Sequence, residues 1–469
     1  MFRPLFRPLF RPLIAAFLLG SLLQAQTDPR LAKASRKEQD GWIVVHLEGK
    51  PAELGYQHGY LLAPEIDDAI KMLSGLMMVQ TGKDWAQYRD MARRFFEPRL
   101  GDEYRTEIDG IVEGVRARGY RYDRLDLLVL NGWIELAQYY VPLQMEKEKK
   151  GSGANKAPGN CSAFIATGSY TKDGGIVMGH NAWIDYAVGT RWRVAWDIRP
   201  AAGERMVMDG FPGSIQSGDD FAMNGAGMLI TETTISGFQG FKEGATPEFI
   251  RARRAEQYAT SIDTFEKIMV EDNNGAYANT WMVGDLKTGE IAKLDLGLRH
   301  HRMWRTKDGA FVGSNFATDE KLLKDETTFD TANRTSSPNA RRTRWDQVMA
   351  EAKGRLDAEL GMKLLGDHVD ATQGKAAGNR CALCGHLDRD PVACAEWSVA
   401  PFDPLGAINA KVTTAALAKD YAFWGRAGFP CGEAFNAAAF LEAHPEYRWE
   451  SSFLTDAPSR PWSLIRFGK

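Results

Sequence analysis

The spacing of hydrophobic positions changes along this chain, and the changes divide it. Gly41-Trp42-Ile43-Val44-Val45-His46-Leu47-Glu48 alternates as a strand does. From Pro51 onward the apolar positions Leu54, Leu61, Leu62, Ile66, Ile70 and Leu73 recur at helical spacing. Further helical stretches fall near 84–97, 102–118 and 123–140, so residues 40–140 are expected to be mostly helical. From Lys147 to Asn160 no apolar residue exceeds Ala157 or Pro158, which reads as an exposed loop open to proteolysis. Beyond it the pattern becomes that of strands. Ala163-Phe164-Ile165-Ala166 and Ile176-Val177-Met178-Gly179-His180 flank a turn at Lys172-Asp173-Gly174-Gly175. Arg191–Ile198 and Met228–Thr234 read as strands, 247–259 and 262–270 as helices, and Tyr277–Asp285 with Glu290–Leu296 as a hairpin. A helix follows near 338–354. Strands, paired helices and strands again predict an α+β chain with sheet packed between helical layers.

Residues 1–25 stand apart. They repeat Phe-Arg-Pro-Leu three times, run apolar from Leu13 to Leu23 and end on the small Ala25. A basic start, a short apolar core and a small-residue exit predict a secretory signal, with an uncleaved anchor as the alternative. Secretion or export to a periplasm would place the chain where disulfides form. The remaining composition narrows the function classes. With 469 residues, 44% hydrophobic and 25% charged, the chain is neither disordered nor a multi-span membrane protein. Its 58 basic against 61 acidic residues give no field for nucleic acid, which is not expected as a partner. Five cysteines leave one over if the others pair.

Cys161 is the cysteine placed for chemistry, at the junction of the polar loop and a buried-looking strand. Cleavage of the Asn160–Cys161 bond would give it a free α-amine beside its own thiol. The two groups titrate near ~8 and ~8.5, so the amine can accept the thiol proton at neutral pH. In the uncut chain that nitrogen is an amide and cannot act as a base. The alternative for Cys161 is a structural cysteine at a strand edge.

Asn160-Cys161-Ser162-Ala163-Phe164, followed by Gly179-His180-Asn181-Ala182-Trp183-Ile184-Asp185-Tyr186, resembles the phospholipase B-like proteins, of the N-terminal nucleophile (Ntn) hydrolase superfamily. Pro212–Phe221, Gly227–Ile235, Ala278–Asp285 and Gly406–Thr413 continue the resemblance in order, over roughly 160–450. Leu47–Gly59 also resembles the start of the penicillin acyltransferase-type (C45) peptidases. The resemblance implies a four-layer αββα fold and self-cleavage before Cys161. It implies a smaller chain, about 26–160, that stays docked on a larger chain, 161–469, with excision of the 146–160 linker in some members.

Cysteine acyl transfer also needs donors for the tetrahedral oxyanion. Asn279, opening a strand in a motif like the Asn-bearing strand of related cysteine hydrolases, is the first candidate; Asn224, beside Gly225, is the second, or else a turn residue. A hairpin would return His180, Asn181, Trp183 and Asp185 toward Cys161. Related hydrolases have an aspartate near the α-amine, which assigns Asp185 that role, although the spacing here is longer. Trp183 and Asn181 are candidate substrate contacts, as are Glu232 and Thr233. Asp219-Asp220 reads equally as a solvated turn or a backbone-fixing pair.

The four later cysteines, Cys381, Cys384, Cys394 and Cys431, are expected to form two disulfides. A Cys₃His zinc set of Cys381, Cys384, His386 and Cys394 is the alternative. No Gly-x-Ser-x-Gly elbow, His-Glu-x-x-His helix or Walker loop is present. The reaction expected is hydrolysis of a small-molecule acyl ester or amide, including phospholipid, with no cofactor or metal and with transient contact at a membrane surface. Acyl transfer to an amine, or a non-catalytic lipid-binding protein of the same fold, are the alternatives.

Overall fold

The computed structural model describes residues 28–148, 161–218 and 220–468. The signal-like segment, Asn160 and Asp219 lie outside the described residues. The first described part contains β1 (Ser35–Gln39), β2 (Trp42–Gly49) and the helices α1 (Pro51–Leu61), α2 (Ala63–Thr81), α3 (Trp85–Phe95), α4 (Gly101–Ala117), α5 (Arg124–Ile134) and α6 (Val141–Glu148). A π-helical stretch, Glu135–Tyr140, joins the last two.

Two sheets follow from the pairing. The first has nine strands in the order β1, β2, β5 (Val194–Pro200), β6 (Met206–Gly210), β7 (Phe221–Asn224), β8 (Met228–Thr234), β9 (Asn279–Asp285), β10 (Glu290–Leu296) and β11 (His301–Thr306). The second has six, in the order β12 (Gly309–Gly313), β3 (Cys161–Thr167), β4 (Val177–Asp185), β15 (Leu405–Thr414), β16 (Ala422–Arg426) and β17 (Ser463–Arg466). Two short strands, β13 (Val369–Asp370) and β14 (Lys375–Ala376), pair with each other alone.

Side-chain alternation sorts the layers. One core joins Val44, Ala195, Val207, Leu229 and Met282 of the first sheet to Ala163, Ile165, Met178 and Phe423 of the second, so the sheets pack face to face. The opposite face of the first sheet, with Val45, Met208 and Ile230, is covered by α1–α5 together with α8 (Glu248–Tyr258) and α9 (Ile262–Val270). The opposite face of the second sheet, with Phe164, Val177 and Val412, lies under α11 (Ser337–Ala352) and α12 (Ala358–Leu365). The short helices α7 (Tyr186–Gly189) and α10 (Glu320–Glu326) lie in connections. The architecture is therefore four-layer αββα, as the resemblance implies.

The N-terminal helices are built into this fold. β2 runs parallel to β5, with Ile43 opposite Val194. α1 and α4 cross backbone to backbone: a Cβ at Gly55 would lie 1.9 Å from the Glu107 carbonyl oxygen, and one at Gly59 2.0 Å from that of Ile111. Across α4, Arg253 donates to both carboxylate oxygens of Glu107 at 2.9 Å, with both side chains buried.

Candidate active site

Cys161 opens β3, every residue of which is buried. Its backbone is opposite Ala182 and its side chain takes the inter-sheet face of the strand, in register with Ala163 and Ile165. Only 1% of Cys161 is exposed. Its backbone N–H donates to Asn315 Oδ1 at 3.4 Å. Its carbonyl accepts from Arg341 Nη1 at 2.8 Å, and Arg341 Nη2 donates to the same Asn315 Oδ1 at 2.7 Å. Asn315 and Arg341 thus grip the first residue of the strand on either side of its Cα, one at its N–H and the other at its carbonyl. Arg341 is itself fully buried on α11, its guanidinium 4.2 Å above the Trp183 ring and 5.3 Å from that of Trp397.

The thiol lies 3.8 Å from Asp220 Oδ2, and one ligand atom each of Cys161, His180 and Asp220 lie within 4.8 Å of one another. Burial pushes the Asp220 carboxyl well above its usual range, and the adjacent Glu232 charge adds to the effect. Burial and the nearby Lys411 charge hold His180 well below the usual histidine range, so its imidazole is neutral. Neither ring nitrogen of His180 has a hydrogen-bond partner among the described residues. Lys411, also fully buried, lies 2.8 Å from Asp209. The thiol therefore faces a carboxyl and an imidazole whose burial favours the neutral form of each. A neutral carboxyl neighbour does not oppose thiolate formation, as a carboxylate would.

Asp220 ends a loop held by the helical layer. His58 Nε2 on α1 accepts from the Gly213 N–H at 2.9 Å, and burial keeps that imidazole neutral by lowering it to about 3. Asn131 on α5 accepts from the Ile215 N–H at 2.8 Å and donates to the Gly213 carbonyl at 2.9 Å. Glu256 on α8 accepts from the Ser217 N–H at 2.9 Å. Asp220 has a φ of 59°, a left-handed conformation that aspartate tolerates better than most residues.

The other predicted residues separate into those near the thiol and those elsewhere. Asn279 is fully buried; with its amide nitrogen toward Glu232 it donates to Glu232 Oε2 and to the Ala278 carbonyl, each at 2.9 Å. It therefore joins the group of Cys161, Asp220 and Glu232 through Glu232. The Thr233 hydroxyl, without a hydrogen-bond partner among the described residues, lies against Gly313 of the opposing sheet. Asn224 is elsewhere. Its nitrogen donates to the Glu256 and Ala259 carbonyls and its oxygen accepts from Ala226 and Met228, so both donor hydrogens are engaged in holding a turn. Asn181 donates to the Leu365 and Leu383 carbonyls, on the face of β4 away from His180. Trp183 donates to the Leu383 carbonyl at 3.3 Å and forms the floor beneath Arg341.

Asp185 lies three residues beyond Ala182, the partner of Cys161 on β4. It lines a separate cavity of about 310 Å³ with Gln80, Trp397, Asp403 and Glu450. Burial raises the Asp185 carboxyl to about 6; burial and neighbouring carboxyls raise Asp403 to about 8 and Glu450 to about 9. Trp397 is the side chain this cavity shares with the surroundings of Arg341.

Asn315, Arg341 and the role of Asp220 were not identifiable from sequence. Asn315 follows a strand at a φ of 68°, where asparagine is also the ordinary turn residue. Arg341 sits among the helical arginines Arg342 and Arg344, a pattern usually found on a solvated helix face. No disulfide joins Cys381, Cys384, Cys394 or Cys431 among the described residues, so the two expected there do not appear. Of the Cys₃His alternative, the structure keeps only Cys384 and His386 together, now with His368 and Cys431.

Residues 78–311 match the family model described as Phospholipase B. An uncharacterized protein of Archaeoglobus fulgidus is 27% identical over 291 residues, 56% of this chain and 45% of that one. Putative phospholipase B-like 2 of Rattus norvegicus is 30% identical over 145 residues, covering 28% of this chain and 24% of the relative. Phospholipase B-like 1 of Bos taurus is 25% identical over 261 residues, 50% of this chain and 48% of the relative. These alignments thus span less than half the length of each relative.

Proposed function

We propose, for this member of the phospholipase B-like family, a self-processed hydrolase with Cys161 as nucleophile, acting on acyl esters or amides. The observation that carries the reading is the position of Cys161, a thiol opening a buried strand with its backbone nitrogen on Asn315 Oδ1 and its sulfur beside Asp220. In the working enzyme the Asn160–Cys161 bond is cut and the nitrogen becomes an amine, which Asn315 orients through the same oxygen. The amine takes the thiol proton, and sulfur attacks the acyl carbonyl carbon. The tetrahedral oxyanion then collapses to a thioester. The ammonium returns its proton to the departing alcohol or amine, and water, deprotonated by the amine, releases the acid. Asn279 is the proposed side-chain donor to the oxyanion, a role that requires it to exchange one present partner for substrate. His180 and a protonated Asp220 form the wall around the sulfur. The phospholipase B relatives favour lipid acyl groups as substrate, and the signal-like segment favours action after export, with the 26–160 chain remaining docked.

The test is expression of the full chain followed by denaturing electrophoresis and N-terminal sequencing. A fragment beginning at Cys161, absent in Cys161→Ala, and release of free acid from acyl substrates by the cut form are the expected results. An uncut chain that stays inert toward acyl substrates after limited proteolysis of the 146–160 region would overturn the reading.

A further inference from the structure

We infer a second site, a structural zinc site of Cys₂His₂ type formed by His368, Cys384, His386 and Cys431. One ligand atom from each lies within 4.8 Å of all the others. The two thiols converge on one nitrogen: Cys384 Sγ is 3.7 Å and Cys431 Sγ 3.6 Å from His386 Nε2. Zinc bonded tetrahedrally at about 2.3 Å to sulfur and about 2.0–2.1 Å to nitrogen requires a sulfur–nitrogen edge of about 3.5–3.6 Å. The site is thus close to the size of one zinc coordination shell. Two thiolates and two imidazoles match the ligand preference of Zn²⁺, and four protein ligands leave no open position, the mark of a structural site. Binding would displace the two thiol protons. The Cys431 sulfur already accepts from the Glu433 N–H at 3.4 Å, a bond suited to a metal-bound thiolate.

The surrounding fold gives such an ion a purpose. Between α12 and β15 the chain from 366 to 404 contains only β13, β14 and two single 3₁₀ turns. An irregular stretch of this length seldom holds its shape unaided. His368, Cys384 and His386 lie on it, while Cys431 lies on the loop after β16. Both attach to the six-stranded sheet, His386 through a bridge to Gly406 of β15. A metal at this point ties the irregular segment to the sheet. The same segment supplies the Leu383 carbonyl that accepts from Trp183, the residue beneath Arg341. The site therefore supports the floor of the Cys161 region while lying outside it, and the inference does not depend on the proposed reaction.

The competing outcome for the same residues is a Cys384–Cys431 disulfide. The full-length chain purified without chelator or reductant should contain one zinc per chain by elemental analysis. Mass mapping under non-reducing conditions should show Cys384 and Cys431 unbridged. Cys431→Ser and His368→Ala should each lower zinc at least tenfold, whereas Cys381→Ser, Cys394→Ser and Cys161→Ser should retain it. If the ligand variants fail to fold, the wild-type chain exchanged with cobalt should show the thiolate charge-transfer band and ligand-field spectrum of a tetrahedral S₂N₂ site. A Cys384–Cys431 bridge, a chain free of zinc, or zinc that depends on Cys381 or Cys394 would each overturn the inference.

Discussion

At the residue scale, the surroundings of Cys161 call for neutrality. A carboxylate 3.8 Å from a nucleophilic sulfur would oppose thiolate formation, and burial lessens that obstacle by favouring the neutral form of Asp220. Asp220→Asn preserves a neutral donor of the same shape and is expected to keep activity within a few-fold. Asp220→Ala is expected to lower kcat by roughly 10²-fold, the scale of losing one donor in a dry site. Steady-state kinetics on the cut enzyme separates the two, and a loss in Asp220→Asn equal to that in Asp220→Ala would mean that the ionisable carboxyl itself, not a neutral donor, is required. Asn315→Ala should slow both chain cleavage and turnover, with the kcat pH profile shifted because the amine loses its acceptor. The sequence singled out Cys161 and Asn279 as candidates because a motif contained each. It hid Asn315 and Arg341 because their role comes from a contact across 154 or 180 residues, with no local pattern to reveal it.

At the element scale, the tightest contact is the crossing of α1 on α4, where glycines on both helices let the backbones touch. Gly59→Ala sets two effects against each other. The helix gains about 1 kcal/mol in propensity, but a methyl 2.0 Å from the Ile111 carbonyl oxygen forces the helices apart, at about 1–3 kcal/mol or more. The clash should win, and chemical denaturation of the purified chain should show net destabilisation. An unchanged midpoint would mean that the crossing relaxes freely. Elements with strong periods were legible: the helix expected near 102–118 is Gly101–Ala117, and the hairpin of 277–285 with 290–296 is present as β9 and β10. The return strand expected to end at His180 instead continues to Asp185, because its apolar run passes through buried polar residues that pattern alone reads as a boundary. The Cys₂His₂ cluster was missed because its fourth ligand lies on a different loop, 45 residues from His386.

At the scale of the whole molecule, buried carboxyls set the pH dependence of stability. Burial raises Glu135 to about 7 and Glu256 to about 8, while Asp403 and Glu450 are raised to about 8 and about 9. Between an unfolded carboxyl near ~4.3 and these values, the folded chain binds more protons than the unfolded chain. Stability from these groups is therefore complete below about pH 4 and declines as pH rises through roughly 7 to 9. Thermal unfolding should give a higher midpoint at pH 5 than at pH 8, and Glu256→Gln should flatten the difference. A midpoint that rises between those values would show that other titrations dominate.

The strand pairing of β2 with β5 means that residues before and after the 149–160 segment contribute strands to one sheet. If the Asn160–Cys161 bond is cut, the nine-stranded sheet is divided between the two products while the six-stranded sheet stays within the larger one, and unfolding changes in molecularity. The uncut chain unfolds and refolds as one molecule. The cut enzyme must lose and then find a partner, so its melting temperature should rise with protein concentration while that of Cys161→Ala should not. Activation would then also be a commitment: refolding after the cut becomes a bimolecular search, and its rate falls with dilution.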